Sequence, residues 1–194
     1  MKHGLLVAGG AACVAWLGAI GVSAAGQTEV LFDGTSLDAF DKVGDATWTL
    51  KGGAVEASNG ERGYLITKKS YGDYRLVVEF WVTDDANSGV FLRCASVTEI
   101  SPTNCYEVNI FDQRPDPAYA TGAIVDVASP REKIMAGGKW NTYEIVAKGA
   151  HLTITLDGVV TVDVENAAHA SGPIALQYGG GTVRFRKVTL MELD

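Results

Sequence analysis

The chain has 194 residues, enough for one domain with a sizeable core. Its formal charge is −7, from 16 Lys and Arg against 23 Asp and Glu. An acidic chain without a basic cluster argues against nucleic acid as a partner.

The first 25 residues stand apart. Lys2 and His3 precede an acid-free run of Leu, Val, Ala, Gly and Ile, which ends in Val22-Ser23-Ala24-Ala25. This pattern predicts a secretory signal over 1–25, cut near Ala24 or Ala25, with the mature domain over 26–194 in the periplasm or outside the cell. A retained anchor is the alternative, because the run approaches the length that spans a bilayer. A lipoprotein cut at Cys13 fits less well. Gly10 stands where a large apolar residue is usual, and the apolar run continues past the cysteine. No stable membrane span is expected in the mature chain. Two of its cysteines remain there, Cys94 and Cys105. In an exported protein they are expected to pair as a short-loop staple, with redox chemistry as the lesser reading.

From residue 30 onward, apolar residues recur with period two. Strands are predicted at 30–32, 47–50, 54–57, 64–67, 74–82, 89–93, 106–110, 123–127, 141–148, 151–156, 159–164, 173–178 and 183–193. Gly52-Gly53 and Asp157-Gly158 sit between alternating runs and predict tight hairpins, the second of type I′. The stretch 111–122 is rich in Pro and Asp and reads as a loop. The stretch 130–138 could hold one short helical turn. So many short strands in one domain predict an all-β sandwich or barrel.

Alternation also assigns faces. Tyr74, Leu76, Val78 and Phe80 share one face of their strand, while Arg75, Val77, Glu79 and Trp81 share the other. Val90 and Leu92 are expected in the core, with Phe91 and Arg93 facing away. Tyr106, Val108 and Ile110 are expected in the core, opposite Glu107, Asn109 and Phe111. Ile174 and Leu176 leave Gln177 on the second face. That second face mixes aromatic rings, amides, an arginine and carboxylates. Sugars stack on rings and hydrogen-bond to such groups, so a saccharide site is expected if these strands are neighbours in one sheet.

An ordered series of motifs carries a resemblance. They are "LFDGTSLDAF" (31–40), "YGDYRLVVEFW" (71–81), "NSGVFLR" (87–93), "YEVNIFD" (106–112), "TGAIVDV" (121–127), "GKWNTYEI" (138–145), "LDG" (156–158), "GPIALQY" (172–178) and "VRFRKVTL" (183–190). The chain resembles the 3-keto-disaccharide hydrolase domain family from residue 31 to residue 193. The resemblance implies a concanavalin-like jelly roll, an all-β sandwich of two antiparallel sheets with a concave sugar-binding face. It also implies cleavage of glycosides whose sugar carries a ketone at carbon 3. Such a substrate needs an upstream sugar 3-oxidoreductase as a separate partner. Asn109 stands where the family usually has Gln, so the amide is kept with a shorter reach.

A ketone at carbon 3 acidifies the proton on carbon 2. Its removal gives an enolate that expels the group on carbon 1, and water then adds. This path needs a base, a stabiliser for the enolate oxygen and an acid near the leaving group. Glu107 is the first candidate for acid/base work, with Glu79 as its partner. Arg93 and Asn109 could donate to the oxyanion. Gln177 could hold a hydroxyl, and Trp81 or Phe91 could stack on the sugar. Asn87 is either a ligand or part of a turn into its strand, and Asp112 is placed at the rim. A divalent metal, Ca or another, could replace Arg93 as electrophile, in a site built from Glu, Asp and Asn oxygens. A Cys94–Cys105 bond would hold Arg93 and Glu107 in register.

Blander readings stand beside these. Glu107 could be a structural ion pair with Arg93 or Lys139. Trp48 and Trp140 suit packing, and His151 and His169 show no partner spacing. A laminarinase-like retaining enzyme would need Glu107 and Asp112 as a close carboxyl pair, with Asn109 replacing the usual middle Asp. A non-catalytic lectin-like carbohydrate-binding module shares the fold and the aromatic face.

Overall fold

The computed structural model describes Met1 and residues 26–194. The expected signal segment and its cleavage point lie outside the described residues. Where alternation predicts a strand, a strand forms almost throughout, because each second residue reaches a shared core. The strands are β1 Thr28–Phe32, β2 Phe40–Gly44, β3 Trp48–Lys51, β4 Ala54–Ala57, β5 Gly63–Thr67, β6 Tyr74–Val82, β7 Ser88–Leu92, β8 Tyr106–Ile110, β9 Trp140–Lys148, β10 His151–Leu156, β11 Val159–Glu165, β12 Ala175–Tyr178 and β13 Val183–Glu192. The one helical element among the described residues is a 3-10 turn, Pro117–Tyr119. None of the described helical segments is long and apolar enough to cross a membrane.

The strands form two antiparallel sheets. One runs β11-β10-β9-β6-β13-β4-β3, with β1 also paired to β13; the other runs β2-β5-β12-β7-β8. Tyr74, Leu76, Val78 and Phe80 of β6 are fully buried in one cluster with Val90, Leu92, Val108, Ile110, Ile174 and Leu176 from the second sheet. Each such side chain contributes on the order of 1.5–3 kcal/mol by leaving water. The all-β jelly-roll sandwich is therefore the observed architecture. Both expected hairpins turn with positive φ at their two central residues, 59° and 74° at Gly52-Gly53 and 49° and 86° at Asp157-Gly158. Type I′ turns require this.

Three local expectations differ from the structure. β2 was not visible in the pattern because it buries only Phe40; it is an edge strand carrying Asp41 and Lys42 outward. Residues 123–127 are no independent strand. Asn109 N donates to Ala123 O and Val125 N to Glu107 O, both at 3.0 Å, so the segment extends the edge at β8. It ends at Asp126, whose φ is 60°. No helical turn forms over 130–138. There the N–H groups of Ala136 and Gly137 turn instead onto the Asp112 carboxylate, each at 2.8 Å.

The sandwich has two outer faces, and this corrects the expectation for Glu79 and Trp81. β6 lies in the eight-stranded sheet, so its second face points away from β7, β8 and β12. Glu79 accepts from Arg186 Nε at 2.5 Å. The Arg186 guanidinium lies 4.3 Å over the Trp140 ring, and Arg184 lies 4.6 Å over Trp81 while pairing with Glu56. These side chains form a row of ion pairs and cation–π contacts on the far side of the molecule. They take no part in a site on the other sheet.

Arg93 is also corrected. It is the first residue past β7, and its φ of 50° breaks the alternation that would have set it beside Phe91. Its side chain is 1% exposed. It donates to Gly72 O at 2.9 Å, Gly149 O at 2.7 Å and His169 O at 3.2 Å, and pairs with Asp73 at 3.0 Å. It ties three loops together. The next residue, Cys94, is bonded to Cys105 just before β8. Closing so short a loop stabilises the fold by about 3 kcal/mol through the unfolded chain. Arg93→Met leaves three backbone carbonyls and Asp73 without their buried donor. It is expected to cost about 3 kcal/mol or more in urea denaturation, and a loss below about 0.5 kcal/mol would show that the tie is not structural.

Candidate functional site

The outer face of the five-stranded sheet carries the chemistry. Its register is explicit: Tyr64 is opposite Gln177, Phe91 opposite Ala175 and Glu107, and Gly89 opposite Asn109. Two rows of side chains result across β5, β12, β7 and β8. One reads Ile66, Ala175, Phe91, Glu107, and the other Tyr64, Gln177, Gly89, Asn109. Gly89 contributes no side chain, so the sheet sinks between the two amides. A methyl group there would meet Glu107 Oε1 at 3.4 Å. The resulting cavity holds about 170 Å³. Tyr64, Asn87, Phe91, Glu107, Asn109 and Gln177 line it from the sheet side, and Arg62, Ile100, Pro102, Phe111, Arg114 and Val125 from the loops.

Each wall has a local cause. The disulfide-closed loop 94–105 brings Ile100 over the sheet, where its carbonyl accepts from Tyr64 Oη at 3.3 Å. Tyr64 meets Phe91 edge to face with centroids 5.5 Å apart. Asn87 ends the turn from β6, and its backbone bonds to Gly179 and Gly180 hold it at the cavity. Asn109 Nδ2 donates to Tyr119 O, which fastens the 111–122 loop. Arg114 lies 5.3 Å over Phe111 and 5.6 Å over Tyr119.

Glu107 is 8% exposed. Among the described residues its carboxylate has no hydrogen bond and no ion pair. Both expected structural partners are engaged elsewhere, Arg93 with Asp73 and Lys139 with Asp157. Burial therefore dominates and pushes the carboxyl up from near 4.5 to about 7. Arg62 and Arg114 pull against this, and Asp126 adds to it. Gln177 is 3% exposed; its Nε2 is 3.5 Å from Tyr64 Oη, and its Oε1 has no partner. A buried acceptor left unmatched costs about 1–3 kcal/mol unless a ligand supplies a donor.

Of the expected site residues, the structure brings together Glu107, Asn109, Gln177, Phe91 and Asn87. Glu79, Trp81 and Arg93 lie elsewhere, as described above. Asp112 is corrected as well. It is buried on the far side of β8's end, accepting from Thr121 Oγ1 at 2.6 Å and from Ala136 and Gly137 N–H groups. It is a loop anchor and offers Glu107 no carboxyl partner, which removes the retaining-pair reading. His151 does have a partner, Asp163 at 2.5 Å, on the other sheet. The sequence reading missed Tyr64, which the alternation of β5 already turns outward. It also missed Arg62 and Arg114, which lie in segments with no period to betray them.

Among the described residues no three His, Cys, Asp or Glu side chains cluster as metal ligands. The cavity itself offers one carboxylate and three amides against two guanidinium groups. That donor set does not suit a divalent cation.

The family model of the 3-keto-disaccharide hydrolases, described as the 3-keto-alpha-glucoside-1,2-lyase-like domain, matches residues 27–191. The chain belongs to this family. No curated protein matches it. Two candidate glycosyl hydrolases from Parabacteroides distasonis ATCC 8503 share the fold of this lyase-like domain. One has a TM-score of 0.75 at 14% identity, covering 86% of this chain and 94% of its own. The other has a TM-score of 0.73 at 22% identity, covering 86% and 100%. The carbohydrate-binding module CBM66 from Bacillus subtilis aligns with a TM-score of 0.62 at 15% identity, over 79% and 96%. Their likeness at these identities is one of fold. The chain is thus a jelly roll of the 3-keto-alpha-glucoside-1,2-lyase-like family.

The Glu107 shift has a thermodynamic sign. A carboxyl raised in the folded state binds its proton more tightly there than in the unfolded chain. Stability is then lost as pH rises from about 4.5 through about 7. The full cost is roughly 3 kcal/mol. Glu107→Gln is expected to be more stable than wild type at pH 8 and about equal at pH 4, measured by urea denaturation. A variant no more stable at pH 8 would mean that the carboxylate is not desolvated.

Proposed function

We propose that this domain is an exported enzyme that cleaves glycosides whose sugar carries a ketone at carbon 3. The observation that carries the reading is Glu107: a buried, unpartnered carboxyl on a cavity floor, held near pH 7. Such a group is poised for proton transfer at neutral pH. Family membership supports the substrate class, and the Cys94–Cys105 bond supports an oxidising compartment.

The Glu107 carboxylate takes the proton from carbon 2, and the C–H electron pair forms the enolate of the carbon-3 ketone. The amide donors of Asn87 and Gln177 line the same cavity and can hold that oxygen. As the ketone re-forms, a double bond forms between carbons 1 and 2 and the bond from carbon 1 to the glycosidic oxygen breaks. The departing alcohol takes a proton from Glu107 or from water. Water then adds across the double bond, giving the free 3-keto sugar. Tyr64 and Phe91 offer the ring an apolar wall. The scheme uses protein groups alone. Its substrate must come from a reaction that oxidises the carbon-3 hydroxyl of the parent glycoside.

A second reading is a non-catalytic carbohydrate-binding module. One observation favours it: the floor of the cavity presents a single carboxyl. The test is turnover of a 3-keto-glucoside and its parent glucoside by wild type and Glu107→Gln, with and without chelator. Wild type is expected to cleave the keto sugar alone, unaffected by chelator. Its kcat/KM should rise with pH to about 7 and then level, since the ionised carboxylate is the base. Glu107→Gln should lose at least about a hundredfold in kcat. Binding of either sugar without cleavage would establish the module instead.

A further inference from the structure

The chain has seven arginines. Five are in ion pairs: Arg75 with Glu144, Arg93 with Asp73, Arg131 with Asp163, Arg184 with Glu56 and Arg186 with Glu79. Among the described residues, the two without one are Arg62 and Arg114, and both line the cavity. In a chain of net charge −7, carboxylates are abundant, so this coincidence asks for a cause. The nearby acids do not supply a partner. Glu107 is buried on the floor, and Asp126 accepts the Tyr119 hydroxyl at 2.9 Å. Arg114 is steadied by stacking over Phe111 and Tyr119, which leaves its N–H groups available.

The floor makes a different demand. Gln177 Oε1 is a buried acceptor with no partner, and its residue lines a cavity of about 170 Å³. A ligand that satisfies both ends has a hydroxyl at the floor and an oxyanion at the mouth. Planar guanidinium groups match a carboxylate well, with two parallel hydrogen bonds from each.

We propose that the saccharide bound here is acidic, carrying a carboxylate, as in a uronic acid, that Arg62 and Arg114 hold at the mouth of the cavity. This rests on the reading of the cavity as a saccharide site. Positive charge at the mouth of a site on an acidic protein also draws such a ligand from solution while repulsion elsewhere discourages it.

The test is calorimetric titration of the full chain with a methyl glucoside, the matching methyl glucuronide and the matching 6-sulfate ester. The glucuronide is expected to bind about tenfold tighter than the glucoside at low ionic strength. Added salt should shrink that preference. The double variant Arg62→Gln/Arg114→Gln should bind glucoside and glucuronide equally, and Arg62→Lys/Arg114→Lys should keep part of the preference. Equal binding of the two sugars by wild type overturns the proposal and leaves the saccharide reading standing. The two arginines would then serve only the anion formed during reaction. Tighter binding of the sulfate ester than of the glucuronide overturns the carboxylate assignment. Failure of all three to bind overturns the proposal, and turnover of the 3-keto-glucoside then decides the saccharide reading separately.

Discussion

The pairing of β7 with β8 in one register is the constraint on which the rest depends. It sets Phe91 opposite Glu107 and Gly89 opposite Asn109. A slip by one residue would turn Glu107 and Asn109 into the core and Val108 out to water. Three separate devices prevent this. The disulfide joins the end of one strand to the start of the next. Arg93 locks the strand end to Gly72, Gly149 and His169. The 123–125 segment pairs with the free edge of β8. The site therefore stands on rigid strands, with loops supplying only its walls.

That rigidity allows an unfavourable group to persist. Glu107 is desolvated without a counter-ion, at a cost of roughly 3 kcal/mol above neutral pH. Gln177 Oε1 is similarly unmatched. Two such groups on one cavity floor, with two unpaired arginines above, concentrate unmet polar demand in one place. The outer face of the other sheet is built differently. The outer face of the eight-stranded sheet satisfies Glu56, Glu79, Glu144, Arg75, Arg184 and Arg186 among themselves.

Alternation in β6, β7, β8 and β12 was legible because a half-buried strand can satisfy its core only with period two. It correctly put Leu76, Val90, Val108 and Leu176 inside and Glu107, Asn109, Phe91 and Gln177 outside. The same reasoning turned Glu79 and Trp81 outward, which is true, but it could not say out of which sheet. Arg93 escaped because one left-handed residue after β7 reverses the count. Asp112 followed the alternation toward the core, and it found there the backbone N–H groups of a segment more than twenty residues away.

The chain by itself determined the fold class, the two tight hairpins, the pair of cysteines and the identity of the buried acid. Each is a local or periodic property, written in residues that are neighbours along a strand or a turn. Tertiary structure alone decided which sheet each strand joins, and so which outward faces meet. It alone brought Arg62, Tyr64 and Arg114 to the same cavity as Glu107. Alternation reports that a side chain leaves the core, and both sheets expose such a face. Only their pairing order determines which of those faces becomes a site.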